Sequence, residues 1–68
     1  MKLNEKLKEL REEEGITQAT LADTLEVPRY IVGNWEQGRT AVDAIMLKKL
    51  AAFYKITVDE ILDGVEEL

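Results

Sequence analysis

The chain has no cysteine and no histidine among its 68 residues. Disulfides and thiolate-bound metal ions are therefore excluded as sources of stability, so the fold must depend on a packed apolar core. The chain also lacks a glycine-rich phosphate-binding loop, and it is too short to enclose a substrate cleft of several hundred cubic ångströms. We therefore predict a protein that is not an enzyme and that uses no metal and no cofactor.

A long apolar run is absent as well. Met1 is followed by Lys2 and then by a charged, periodic segment, which excludes a signal peptide or a membrane span. The composition is 46% apolar, which is enough for one small helical core. These properties predict a single soluble, cytoplasmic domain.

Basic residues are few, because nine Lys and Arg stand against 14 Asp and Glu, for a net charge of −5. This balance argues against nucleic-acid binding, since neutralising phosphates supplies much of the affinity for DNA. The acidic residues are concentrated near the end of the sequence, however. Residues 17–40 have two basic and three acidic side chains, whereas residues 41–68 have three basic and six acidic ones. We expect one copy to bind DNA weakly or with strong salt dependence, so that useful affinity needs a dimer or a larger assembly.

Apolar residues recur at helical spacing through almost the whole chain, and no segment alternates as a strand does. Caps and glycines divide this pattern into five helices, which predicts an all-α, compact five-helix domain over residues 1–64 and a short, frayed acidic tail at 65–68. The first predicted helix runs from an Asn4 cap to Glu14, and the second from a Thr17 cap to about Leu25. The third runs from about Pro28 to just before Gly38. The fourth runs from an Asp43 cap to Tyr54, and the fifth from a Thr57–Glu60 capping box to about Asp63.

The second and third helices form a helix-turn-helix pattern. Leu21, Ala22 and Leu25 share one face of the second helix. Val32 and Trp35 share one face of the third, and the small Ala22 suits a steep crossing between helices joined by so few residues. The outer side of the third helix is then free to enter the major groove of DNA, and its candidate contact residues are Arg29, Tyr30 and Asn34.

Six short motifs follow one another almost without gaps over residues 3–64. They are Leu7-x-x-Leu10-Arg11, Gly15-Ile16-Thr17-Gln18, Leu21-Ala22, Val32-x-x-Trp35-Glu36-x-Gly38, Leu50-Ala51 and Ile56-Thr57-Val58-Asp59-Glu60-Ile61-Leu62. On these motifs the chain resembles the Cro/phage-repressor family of helix-turn-helix domains, also called the xenobiotic-response-element family. The resemblance implies a lambda-repressor-like five-helix fold and sequence-specific control of transcription by dimers on palindromic operators.

The resemblance also implies roles for individual positions. A reading helix at about residues 28–37 would present side chains to base edges, while residues at the start of the second helix and after the third would contact phosphates. The implied base contacts are Arg29, Tyr30, Ile31, Gly33 and Asn34, and the implied phosphate contacts are Thr17, Gln18, Arg39 and Thr40. Arg11 and Glu36 match the structural ion pair between helices that is typical of the family.

Other roles remain open for these residues. Arg29 pairs with guanine or contacts only phosphate, and Asn34 reads adenine or is an ordinary exposed polar residue. Tyr30 contacts a thymine methyl group or a phosphate, or it packs over a neighbouring helix. Gly33 allows the helix backbone to approach DNA closely, or it is a small residue tolerated at a cost of ~1 kcal/mol relative to alanine. Glu26 occupies the turn position that the family usually gives to glycine, so we expect a strained or altered turn there.

Apolar side chains on the fourth helix are expected to form a contact surface at Ile45, Met46 and Phe53. This surface pairs two copies in a homodimer or binds a partner protein. The favoured function is a transcriptional regulator, a repressor that binds double-stranded DNA as a homodimer. The alternative is a protein-interaction module, or an antitoxin-like partner-binding protein, on the same fold with weak or no DNA binding.

Overall fold

The computed structural model describes residues 1–68 and has five α-helices with no strand beyond one isolated bridge. The helices are α1 (Leu3–Glu13), α2 (Gln18–Leu25), α3 (Arg29–Gln37), α4 (Ala44–Tyr54) and α5 (Val58–Leu62). The prediction of an all-α domain with five helices is therefore confirmed. None of the five is long and apolar enough to cross a membrane.

Three helices begin at the caps that the sequence predicts. In each case a side-chain oxygen accepts a hydrogen bond from the backbone N–H three residues later, which satisfies a group that the helix itself leaves unpaired. The three bonds run from Thr20 N to Thr17 Oγ1 (3.1 Å), from Met46 N to Asp43 Oδ1 (2.8 Å) and from Glu60 N to Thr57 Oγ1 (3.0 Å).

The start of α1 differs from the prediction, because Lys2 and not Asn4 is the residue before the first turn. The backbone N–H of Leu3 donates to the carbonyl of Glu67 (2.9 Å), which satisfies one group of the first turn without a side-chain cap. Asn4 lies inside the helix, and its Nδ2 donates to the backbone carbonyl of Glu36 at 3.2 Å. Asn4 therefore connects α1 to the end of α3.

The last four residues are also ordered differently from the prediction of a frayed tail. Lys2 and Glu67 form a parallel β-bridge, and the N–H of Glu66 donates to the carbonyl of Met1 at 3.0 Å. Val65 is half-buried and packs against the core. These backbone bonds join positions more than 60 residues apart, so no local sequence pattern indicates them.

Two of the turns between helices have a non-glycine residue in the left-handed conformation, Glu26 (φ 60°) and Lys55 (φ 58°). The turn at Glu26 separates α2 from α3. There the N–H of Glu26 donates to Asp23 and the N–H of Val27 to Ala22, which is the pattern of a Schellman motif. The hydrogen bonds and the packing of Val27 on the core hold the turn in a conformation that glycine would adopt with less strain.

The core lies where all five helices meet, and its members are Leu3, Leu7, Leu21, Ala22, Leu25, Val32, Trp35, Leu50, Ala51 and Ile61. On α4 the expected apolar surface is only partly exposed. Ile45 is 67% exposed, whereas Met46 and Phe53 are half-buried and pack against the core. Successive helical residues diverge by about 100°, so Ile45 faces outward while Met46 turns towards the core.

Candidate nucleic-acid interface

The outer side of α3 presents polar side chains that have no partner within the protein. Arg29 and Tyr30 are exposed, and Asn34 is half-buried. No side-chain hydrogen bond or ion pair is formed by any of the three. Five guanidinium donors, a phenol and an amide are therefore available to an external ligand.

The other two candidate base contacts are Ile31 and Gly33. Ile31 is half-buried and packs against the core, so only part of its side chain faces outward. Gly33 is half-buried beside α2. At 100° per residue Gly33 lies between Arg29 and Tyr30 around the helix, and Ile31 lies beyond Asn34. We call Arg29, Tyr30 and Asn34 the polar strip.

Arg39 and Thr40 lie just beyond α3 and are exposed. The chain leaves the helix through Gly38 in the left-handed conformation (φ 74°), and the N–H of Arg39 then donates to the carbonyl of Asn34 at 2.9 Å. This turn fixes the backbone from which both side chains extend. Thr17, at the start of α2, is exposed, but its hydroxyl already caps that helix and bonds to Thr20.

The inner side of α3 has a buried ion pair, as the resemblance implies. Glu36 accepts hydrogen bonds from Arg11 Nε at 2.7 Å and from Arg11 Nη2 at 2.9 Å, and its side chain is only 3% exposed. Arg11 Nη1 also donates to the carbonyl of Ile16 at 2.8 Å. The hydrogen bond to Glu36 raises the pKa of Arg11. The pair joins α1 to α3.

Gln18 belongs to the same network, which the sequence does not indicate. Its Nε2 donates to Oε1 of Glu36 at 3.0 Å, so three helices meet at one carboxylate. Gln18 is half-buried, and the phosphate contact that the resemblance implies for it stays a prediction. No pattern in the sequence signals this bond, because the partner lies 18 residues away on another helix.

The buried pair also changes the charge that the domain shows to solvent. Glu36 is one of three acidic residues in the segment 17–40, and Arg11 neutralises it inside the protein. The exposed charges of that segment are then balanced, with Arg29 and Arg39 against Asp23 and Glu26. Arg29 belongs to the polar strip and Arg39 follows α3, while Asp23 and Glu26 lie at the C-terminal end of α2.

No group of three His, Cys, Asp or Glu side chains is arranged to hold a metal ion. The acidic run at the end of α1 is exposed and solvated. The chemistry available at this surface is hydrogen bonding and charge, which suits recognition of a polar, anionic surface.

Similar proteins include two helix-turn-helix regulators. The HTH-type transcriptional activator BcrR of Enterococcus faecalis is 39% identical over 66 residues, which cover 97% of this chain and 32% of that protein. The HTH-type transcriptional regulator DdrOP3 of Deinococcus deserti is also 39% identical over 66 residues, covering 97% of this chain and 51% of the relative. The chain thus spans between about a third and a half of the length of these relatives.

Solved structures show the same arrangement of helices. The restriction-modification controller protein C.AhdI from Aeromonas hydrophila has a TM-score of 0.80 and 34% identity, over 87% of this chain and 89% of that one. A transcriptional regulator from Listeria innocua has a TM-score of 0.83 and 28% identity, over 98% and 63% of the two chains. A family model described as helix-turn-helix matches residues 7–61. The chain therefore belongs to the Cro/C1-type helix-turn-helix family.

Proposed function

We propose that the chain is a DNA-binding transcriptional regulator that inserts α3 into the major groove of a duplex. The observation that supports this most directly is the contrast within α3, whose inner polar group is fully paired while its outer polar groups have no partner. Relatives named as HTH-type transcriptional regulators support the same function. It requires no catalysis, cofactor or metal, and it places the protein in the cytoplasm with the DNA.

In this mechanism the outer strip of α3 reads base edges. Arg29 donates two hydrogen bonds to O6 and N7 of guanine, a geometry that its planar fork matches. Asn34 pairs with N6 and N7 of adenine. Tyr30, which is 66% exposed, contacts a thymine methyl group or a phosphate. Ile31 meets thymine methyl groups at one edge of the contact, and Gly33 permits close approach.

Phosphate contacts come from both ends of the helix-turn-helix. Arg39 and Thr40 bind the backbone beyond α3, where the Gly38 turn directs them. Thr17 and the first backbone N–H groups of α2, including that of Gln18, bind a second phosphate at the positive end of the helix. These contacts set the register of the protein on DNA, and base contacts then supply specificity.

The acidic net charge makes a homodimer the functional form in this proposal, since each copy brings few phosphate-neutralising cations. The exposed Ile45 and the parts of Met46 and Phe53 that remain accessible supply the contact surface. Two copies then read half-sites about 34–36 Å apart, one turn of the DNA helix. Repression follows when such an operator overlaps a promoter.

An unbiased selection from random duplex DNA tests the proposal. Purified protein is incubated with the pool at two salt concentrations, and bound sequences are compared with the input. We expect a palindromic sequence to be enriched, with a yield that falls steeply at the higher salt. A folded sample that enriches no sequence at either salt concentration contradicts the proposal.

A second candidate function is a protein-interaction module, and the net charge of −5 together with the exposed Ile45 favours it. This function predicts that Ile45→Asp abolishes binding to the partner while Arg29→Ala leaves it intact. A DNA-binding regulator predicts that Arg29→Ala reduces binding to DNA. The antitoxin-like form would show both effects, one on each ligand.

A further inference from the structure

We propose that the side chain of Gln18 reads a DNA base by accepting a hydrogen bond from its exocyclic amino group, and that Glu36 positions it to do so. The inference rests on the proposed function, because it requires α3 to lie in the major groove. It assigns to Gln18 a part in specificity, where the resemblance implies only a phosphate contact.

The orientation of the Gln18 amide is fixed by what it contacts. Glu36 is held by two hydrogen bonds from Arg11 and presents only acceptor oxygens to its neighbours. The amide nitrogen of Gln18 must therefore face it, and does so at 3.0 Å. Because Glu36 is buried and tied to Arg11, it cannot turn away, so it is a positioning residue for Gln18.

The oxygen of the same amide lies against the reading helix. A Cβ atom placed on Gly33 would sit 3.6 Å from Oε1 of Gln18, which is ordinary van der Waals contact. Gly33 has no side chain of its own, so the Gln18 amide lies beside the place where a side chain at position 33 would begin. The side-chain amide of Gln18 on α2 therefore provides a polar group beside Gly33, where α3 has no side chain of its own.

Two hydrogen-bonding groups of Gln18 remain free after the bond to Glu36. They are the acceptor Oε1 and the second N–H of Nε2. A phosphate group offers only acceptors and cannot bind Oε1. In the major groove, adenine N6 and cytosine N4 are the donors, and adenine adds the N7 acceptor that suits the second N–H. The acceptor Oε1 therefore suits an exocyclic amino group on adenine or cytosine, while the second N–H can bind adenine N7 or a phosphate oxygen.

The experiment repeats the DNA selection with Gln18→Met, Gly33→Ala and the double variant, beside the unchanged protein. Methionine keeps the length of glutamine but cannot accept the bond. Alanine at position 33 places a methyl group 3.6 Å from Oε1, on the side of the amide that faces α3. We expect each single variant to lose roughly tenfold preference for adenine or cytosine at the same position of each half-site. The double variant should lose no more base preference than either single variant, because both substitutions disrupt the same hydrogen bond.

Thr24→Met is the matched control, since it places the same side chain at an exposed position of α2 away from α3. It should keep every base preference. The inference is overturned when Gln18→Met keeps the base preference of the unchanged protein at every position, whatever the result for Gly33→Ala. A uniform loss of affinity with unchanged preferences also overturns it. Should Gln18→Met fail to fold by circular dichroism, Gln18→Ala replaces it, because Gly33→Ala also changes how closely α3 approaches DNA. An unchanged protein that enriches no sequence refutes the proposed function itself, which is a different outcome.

Discussion

The two sides of α3 differ in how their polar groups are satisfied. On the inner side the Glu36 carboxylate accepts three hydrogen bonds from Arg11 and Gln18, and its side chain is 3% exposed. On the outer side Arg29 and Tyr30 are exposed and bond to nothing in the protein. The helix therefore needs its inner groups to fold and leaves its outer groups for a ligand. Substitutions on the two sides should separate stability from binding.

The largest effect is expected on the inner side, from Arg11→Met. The substitution leaves Glu36 buried without its cation, which should lower the free energy of unfolding by about 3–5 kcal/mol. The total free energy of unfolding of so small a domain is only a few kcal/mol, so the variant should be largely unfolded at 37 °C. Urea denaturation followed by circular dichroism measures the change.

The double variant Arg11→Met with Glu36→Leu sharpens this test. Replacing both members with apolar side chains removes the unpaired charge, so most of the lost stability should return. A double variant as unstable as Arg11→Met alone would show that packing, and not charge, holds α1 to α3.

On the outer side, Arg29→Ala should weaken binding to the selected operator by about 1–3 kcal/mol, since one bidentate base contact is lost. The free energy of unfolding should stay within about 0.5 kcal/mol, because Arg29 is exposed and unpaired. Fluorescence anisotropy with labelled operator measures the affinity. Lys8→Ala removes the same charge from the exposed side of α1 and should change binding much less. Equal losses from both variants would mean that only net charge matters.

Gly33→Ala tests the boundary between the two sides. Alanine favours a helix interior over glycine by about 1 kcal/mol, and the nearest atom from another helix, Gln18 Oε1, would be 3.6 Å from the new methyl group. We therefore expect the free energy of unfolding to rise by about that amount, measured in urea. A loss of stability would show that the contact with Gln18 is tighter than ordinary packing.

The smallest effect at neutral pH is expected from Tyr54→Phe, next to the inner network. Tyr54 Oη is buried without a hydrogen-bond partner, and burial raises the pKa of Tyr54 to about 12. The unfolded chain releases that proton near pH 10, so unfolding becomes easier as the pH rises from 10 to about 12. Tyr54→Phe should be as stable as the unchanged protein or slightly more so at pH 7, and should lose less stability above pH 10. Identical alkaline profiles in urea would contradict this assignment.

The sequence predicts those parts of the structure that depend on near neighbours. Thr17, Asp43 and Thr57 cap helices through bonds to residues three positions away, and the apolar spacing around Val32 and Trp35 determines which side of α3 faces inward. The exposure of Arg29 follows from the same spacing. The ion pair of Arg11 with Glu36 comes from the family resemblance and not from periodicity.

What the sequence does not show are the polar contacts between distant segments. Asn4 matches a helix cap by type, but in the structure it bonds to the carbonyl of Glu36 from inside α1. Gln18 matches an exposed first-turn residue, yet the buried carboxylate draws it to α3. Such bonds depend on the angle at which helices cross, and that angle is set by the whole core. The base contacts and phosphate contacts themselves stay predictions until a complex is measured.

The bridge between Lys2 and Glu67 determines where a protein fused to this domain would lie. Both ends of the polypeptide emerge at one corner of the domain, and Leu68 lies there beside the loop that holds Arg39 and Thr40. A fluorescent reporter or affinity tag fused after Leu68 would lie next to the loop that we propose to contact the duplex. Such a fusion needs a long linker if DNA binding is to be kept, and a bulky fused domain without a linker should block DNA binding sterically.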